Sequence, residues 1–421
     1  MKKTILFLAA GLCIFACQTN KLNPEPISPD VKGGMVLTAN IEQPVSTKAT
    51  IDNALQSLWS TGDVIRVYIS NNANNLSKVE SFELTSPEGS AYGQFECATD
   101  YPAENNHWDY YSFFPYNYTT SSGPATTESN MGGDSKFYFC LPTSYYDYTS
   151  GRSFLPLLAD MRGANPHPTN VAFYHVGGAV VLNLTKVPAA AHSLGMTVAG
   201  KKLNGWMNGI ALDNLNSDDG AIIASPSDVT EENSIWMNFN SSGSEDRDMK
   251  FVFPVPTTTS TSNLTFTIYD KNNLKIWEKT ASNQPAIGRA KAIVMRSRDV
   301  KALPSDLYVR GWINNADITA NEIPLGSTGS IDYTFTSDSY LYLYASSINK
   351  AYLPGSNVSD SNQAECYVTD SWDISSCYKL KVPAGKYRLS INYNTTGTIT
   401  LIANKIATNE NMNLDNTEYN L

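Results

Sequence analysis

The side chain with the most specific chemistry in this sequence is the thiol of Cys17, which closes the run Ile14-Phe15-Ala16-Cys17. Lys2 and Lys3 give the chain a positive start, and residues 5–15 form an apolar stretch too short to span a bilayer as a stable helix. A lipoprotein signal peptidase cuts before a cysteine and needs a small residue ahead of it, which Ala16 supplies; Phe15 is bulkier than usual for its slot. Cys17 is then the lipidated N-terminus of an exported chain. An ordinary signal peptide with a chance cysteine is the competing reading, and the abrupt change to polar sequence after Cys17 argues against it. Pro24, Pro26 and Pro29 stand among polar residues there, so residues 17–34 read as a semi-extended tether that holds a folded body away from a membrane.

Of six cysteines, Cys13 leaves with the leader and Cys17 takes lipid, which leaves Cys97, Cys140, Cys366 and Cys377. In an exported chain an even remainder suggests disulfides. Cys366 with Cys377 closes a short loop and is the expected pair, whereas Cys97 and Cys140 are open between a bridge and two buried thiols. No cysteine or histidine spacing matches a zinc site, so no metal is expected. The four histidines are His107, His167, His175 and His192. No Gly-x-Ser-x-Gly elbow, His-Glu-x-x-His helix or phosphate loop accompanies them, and the acidic stretch 213–220 fails the calcium-loop spacing. These absences point away from an enzyme and from any cofactor. The net charge of -10, which becomes -12 once Lys2 and Lys3 are lost, argues against nucleic acid or an anionic membrane surface as the main partner.

The elements that position these residues are strands. About 390 residues follow the tether, enough for two to four domains, and almost every periodic segment has period two. Met35, Leu37, Ala39 and Ile41 alternate with Val36, Thr38 and Asn40. Ile65, Val67 and Ile69 follow the turn at Thr61-Gly62-Asp63, and Val180, Leu182 and Leu184 follow Gly177-Gly178. Leu264, Phe266 and Ile268 lead into the turn Asp270-Lys271-Asn272-Asn273, from which Leu274 and Ile276 return. Near the end, runs starting at Tyr378, Tyr387 and Ile399 read as a three-strand meander turning at Pro383-Ala384-Gly385 and at 394–397. Trp59 reads as a sheet-packing aromatic, and His175 as a satisfied core histidine rather than a ligand. The expected fold class is all-β: tandem β-sandwich domains at 35–168, 169–303 and 304–404, then a polar tail at 405–421.

Several of these segments together resemble the fimbrillin family, the lipoprotein subunits of Bacteroidia type V pili. The run Leu58-Trp59-Ser60-Thr61-Gly62-Asp63-Val64-Ile65-Arg66-Val67-Tyr68 is similar to the family's W-x-x-G-D-x-I-x-V-Y strand. Tyr110-Tyr111-Ser112-Phe113-Phe114-Pro115-Tyr116 is similar to its F-x-P-Y segment, and Phe173-Tyr174-His175-Val176-Gly177-Gly178-Ala179 to the strand opening its second domain. The resemblance covers residues 35 to 302. It implies that a surface protease cuts after a basic residue, here Lys48 ahead of Ala49, and that the strand bearing Met35, Leu37, Ala39 and Ile41 is shed. A strand from another pilus subunit then fills the groove. Lys48 stands where arginine is commoner, and a solvated loop lysine is the alternative. The stalk subunits of that family donate a C-terminal strand; here 304–403 looks like an added domain and the tail alternates poorly, so an accessory or tip subunit that accepts without donating is expected. Its implied place is the fimbrium at the cell outer membrane, surface-exposed, acting in cell adhesion.

The last hundred residues faintly resemble the C-terminal modules of starch-binding outer-membrane lipoproteins, through Tyr308-Val309-Arg310-Gly311-Trp312, Tyr352-Leu353-Pro354-Gly355, Trp372 and the run from Pro383 to Asn392. That likeness implies a host or dietary glycan as ligand. Sugar binding needs exposed aromatic faces with flanking donors and acceptors. Trp312 and Trp372, with Tyr340, Tyr342 and Tyr344 on one strand face, are the candidates; packing of the sandwich is the other use open to them. A lipid-anchored surface glycan-binding protein that never polymerises is therefore the second functional reading.

Overall fold

The computed structural model describes residues 34–42, 45–46, 57–71, 76–100, 109–114, 117–120, 123–126, 130–132, 136–141, 144–145, 155–162, 167–200, 203, 205–211, 234–239, 245–257, 262–316, 322–369 and 377–407. No helix occurs among them, and the fold is all-β.

The first body is a barrel of seven strands. In order around it come Met35–Ile41, Asn170–His175, Leu157–Asp160, Asp109–Phe114, Val64–Asn71, Leu76–Leu84 and Tyr92–Cys97, which returns to the first strand. It is thus a closed sheet rather than an open two-sheet sandwich. The alternation of the first strand is realised: Met35, Leu37, Ala39 and Ile41 are buried, and Val36, Thr38 and Asn40 are half-buried. Trp59 lies at the centre of the core. Its ring meets Phe95 edge-on at 4.8 Å and Phe173 at 5.6 Å. Small residues make that room: Ala39 pairs with Gly93, where a Cβ would come within 2.8 Å of the Trp59 ring. The aromatic strand Asp109–Phe114 is central and ends just ahead of Pro115, which has no N–H for the ladder.

Asn170–His175, expected to open the second domain from residue 169, completes the barrel instead. It pairs in parallel with the first strand and antiparallel with Leu157–Asp160, and it turns Val171 and Phe173 into the barrel core. The division between the bodies therefore falls at Gly177-Gly178. There the chain passes so close to its neighbours that a Cβ on Gly177 would lie 2.3 Å from the Val255 carbonyl oxygen. Segments early in the sequence also serve the second body. Val45–Ser46 pairs with Lys291–Val294, Lys136–Leu141 with Gly205–Ala211, and Ser144–Tyr145 with Ser234–Asn238.

The second body stacks two five-stranded sheets. One runs Ser144–Tyr145, Ser234–Asn238, Ala191–Val198, Ser262–Asp270, Lys275–Gln284. The other is built on Gly178–Val187, flanked by Arg247–Val255 and Lys291–Val294. The expected turn after Asp270 is present, and the Asp270 carboxylate accepts from the backbone N–H of Asn272 and Leu274 at 2.8 and 2.9 Å.

The third body is one nine-stranded sheet that includes Leu307–Trp312, Ser330–Phe335, Ser339–Ala345, Lys350–Pro354, Gln363–Thr369, Leu380–Val382, Gly385–Tyr393 and Ile399–Lys405. The expected meander is only half formed. Gly385–Tyr393 pairs with Ile399–Lys405, but Leu380–Val382 joins Ser339–Ala345 instead. Pro383 cannot extend that ladder, so the chain crosses over at this point. The second and third bodies share one continuous hydrophobic core, running from Val180 and Phe266 to Leu341 and Leu401. Tyr393 donates its hydroxyl to Asp270 at 3.1 Å across the junction, and the Ala190 N–H donates to the Thr395 carbonyl at 2.8 Å.

Candidate functional site

Among the described residues, two places gather specific side chains at a strand seam or an opening. The first is the seam where the chain's first strand closes the barrel. Met35–Ile41 lies between two neighbours, in antiparallel register with Tyr92–Cys97 and parallel register with Asn170–His175. Its ends are fixed by the Met35 N–H on the Thr99 carbonyl at 3.0 Å and the Glu42 N–H on the Phe173 carbonyl at 2.9 Å.

Glu42, the first residue past the strand, is a latch. Its carboxylate accepts from the guanidinium of Arg289, whose side chain is 5% exposed, and from the His175 N–H at 3.1 Å. The His175 ring nitrogen Nε2 donates to the Glu42 carbonyl at 2.9 Å, and Ser57 Oγ lies 3.3 Å from the same nitrogen. Burial pushes the His175 imidazole down to about 4; the carbonyl of Glu42 opposes this and the charge of Arg289 adds to it. His175 is thus a satisfied interior histidine, as its setting in the sequence implied, and Glu42, which it holds, ties the end of the first strand to the Arg289 loop of the second body.

The second place is a concavity of about 490 Å³ on the third body. Trp312, Tyr340 and Lys381 stand opposite one another on three adjacent strands. Trp312 is 47% exposed and Tyr340 is 40% exposed. Gly311 sets the position of the tryptophan: at a φ of 145° it passes so near Tyr340 that a Cβ would lie 1.8 Å from that residue's carbonyl oxygen. A tight turn follows, with Asn314 and Asn315 both left-handed at φ of 55° and 62°. Asn314 is pinned, its side chain accepting from the Thr336 N–H at 2.7 Å, and Asn315 is left on the pocket wall.

Asn357, Ser359 and Lys379 complete the polar rim. Lys381 pairs with Asp338 at 3.0 Å; that contact holds the Asp338 carboxyl below its ordinary range and the Lys381 ammonium above its own. Lys379 differs: its ammonium donates to the Cys377 carbonyl at 3.1 Å and has no carboxylate in salt-bridge range among the described residues.

Of the sequence candidates, Trp312 is in this pocket with Tyr340. Tyr342 and Tyr344 share Tyr340's strand face but are buried, Tyr344 beneath the guanidinium of Arg310. Cys17, Lys48, Ala49 and Trp372 lie outside the described residues. The expected Cys366–Cys377 bridge is absent. Cys366 packs into the shared core with Leu401 and Leu343, while Cys377 packs with Tyr342 and Tyr344 on the opposite face of the sheet. Burial pushes the Cys366 thiol up to about 12, the setting of an inert structural cysteine. Cys97 is likewise a free buried thiol. No group of metal-binding side chains occurs among the described residues.

Sequence reading missed Asn315, Asp338, Asn357, Lys379 and Lys381. Two signals were available: the Asn-Asn turn directly after Trp312, and lysines flanking the buried Leu380 at two-residue spacing.

No family model and no curated protein matches the chain. Among solved structures it is similar to a candidate cell adhesion protein from Bacteroides ovatus, with 12% identity, a TM-score of 0.34 and coverage of 63% of this chain and 91% of that one. It is also similar to the fimbrial anchor protein Mfa2 from Porphyromonas gingivalis, with 10% identity, a TM-score of 0.24 and coverage of 58% and 82%. The tip fimbrial protein Mfa3 from the same organism matches with 7% identity, a TM-score of 0.26 and coverage of 61% and 91%.

Proposed function

We propose that this chain is a non-catalytic, surface-exposed pilus subunit of the fimbrillin type. It is held on the outer membrane by lipid at Cys17 until processed, and it joins other subunits by exchange of its first strand. The observation that carries this reading is the place of Met35–Ile41 inside the barrel. Removing it uncovers the edges of Tyr92–Cys97 and Asn170–His175 together, along with the apolar trough that Met35, Leu37, Ala39 and Ile41 fill. Open backbone edges beside an apolar trough are what an added strand needs, since main-chain hydrogen bonds give affinity and alternate side chains fix register. The third body, built as a complete sheet sharing the core of the second, supports an accessory or tip position and a role in adhesion.

The test is the N-terminal mass of the protein sheared from its own cells. A start at Ala49 is the expected result. If lipidated Cys17 is the sole form, the strand stays in place and exchange is abandoned.

A second reading, a lipid-anchored glycan-binding protein that does not polymerise, is favoured by the exposed Trp312–Tyr340 pair. Under that reading the first strand is kept. The two readings therefore part on the same mass measurement.

A further inference from the structure

The pocket on the third body combines three features. First, two aromatic rings are left open beside covered ones on the same strand face. Trp312 and Tyr340 are directly opposite on neighbouring strands, while Tyr342 and Tyr344 farther along are buried. Second, the rim carries neutral donors and acceptors in Asn315, Asn357 and Ser359. Third, its charge runs against that of the chain. The protein is acidic at -10, yet the pocket holds two lysines and one aspartate.

Within that group the charges are not equivalent. Asp338 is engaged by Lys381, so the pair presents no net charge to a ligand. Lys379 spends one N–H on the Cys377 carbonyl and keeps two donors for another partner. Its position is fixed by the backbone: the Lys379 N–H donates to the Asn357 side chain at 3.1 Å, and the Val358 N–H donates to the Lys379 carbonyl at 3.0 Å.

We infer that this pocket holds an acidic sugar, one ring face stacked on Trp312 and Tyr340 and its anionic group on Lys379. Aromatic faces pack against the C–H face of a pyranose, the amide and hydroxyl rim answers its hydroxyls, and an ammonium with spare donors makes charge-assisted hydrogen bonds to a carboxylate or sulfate. The volume lies within the roughly 300–1,000 Å³ of small-ligand pockets. The inference deepens the glycan-binding reading and rests on it, but it is independent of strand exchange, because no residue of the pocket belongs to the first body.

The experiment is calorimetric titration of the purified protein with sialyllactose, sulfated lactose and plain lactose, with digalacturonate as a fourth probe. An acidic probe should bind at least about tenfold more tightly than lactose, and Lys379→Gln should erase that margin. Trp312→Ala should abolish binding of every probe, and Trp312→Phe should restore part of it. Carboxylated and sulfated probes separate the two sources of the anion. Lactose binding as tightly as the acidic sugars would overturn the assignment of the anionic group and leave glycan binding standing. Failure of all four probes on a protein with an unchanged melting profile would overturn both. A protein ligand whose capture depends on Trp312 and resists competition by every sugar would likewise overturn the inference.

Discussion

The barrel seam and the third-body pocket are built from the same material and used in opposite ways. Each is a row of side chains crossing adjacent strands. At the seam, the row from Phe95 through Leu37 is turned inward, and the strand that carries Leu37 is held from both sides. In the pocket, the row of Trp312, Tyr340 and Lys381 is turned outward and both rings stay substantially exposed. The seam stores its free energy in burial, so altering it changes stability. The pocket leaves apolar surface in water, so altering it should change recognition and leave the fold intact. Buried and exposed apolar rows thus lie at separate ends of one chain.

The comparison is broken most forcefully by deleting residues 35–42. Hydrogen exchange should then show loss of protection in Tyr92–Cys97 and Asn170–His175, with Ser262–Asp270 still protected; uniform protection would mean the seam is not integral to the barrel. Next in size is Leu37→Ala, which empties a buried site and should cost about 2–5 kcal/mol in denaturant unfolding. Glu42→Gln leaves the buried Arg289 facing a neutral amide, and a loss of about 1–3 kcal/mol is expected from the same assay.

His175 offers a titration of the latch. Its folded-state value of about 4 lies below its ordinary 6.5, so the unfolded chain binds more protons between those limits. Stability is therefore fully present above pH 6.5 and falls as the pH drops toward 4. Glu42, Arg289 and Ser57 are the groups facing the ring. A variant His175→Gln should flatten that part of the pH profile, and an unchanged slope would assign it elsewhere. The smallest effect on folding is expected at Trp312→Ala, within about 0.5 kcal/mol of the parent despite the size of the side chain lost. A large destabilisation there would return Trp312 to a packing role and erase the contrast between the two regions.

How far the sequence carried this picture also differs between the two regions. The seam was legible because a half-buried strand writes its burial as alternation, and Met35, Leu37, Ala39 and Ile41 keep that period, with Val36 the one apolar residue on the other face. Trp59 and the Asp270 turn were legible for similar local reasons. Alternation does not say which strands become neighbours, however. Asn170–His175 carries the pattern of any half-buried strand, and only the parallel pairing with the first strand places it in the barrel. The meander failed for the same reason at Leu380–Val382. In the pocket, Tyr340, Tyr342 and Tyr344 are indistinguishable in sequence; whether each is covered depends on Arg310, from the neighbouring strand, and on Cys377, from the segment ahead of Leu380–Val382. The Cys366–Cys377 expectation rested on separation along the chain, and the two thiols occupy opposite faces of one sheet.

The shared core of the second and third bodies has a mechanical consequence. Domains joined by a linker swing when a ligand at one end is pulled. Here the side chains of both bodies interlock, and Tyr393 reaches across to the Asp270 turn. Tension entering at Trp312 would pass into the sandwich as shear along many strands at once, without a hinge to open first. An attachment made at the pocket would then load the common core of both bodies together.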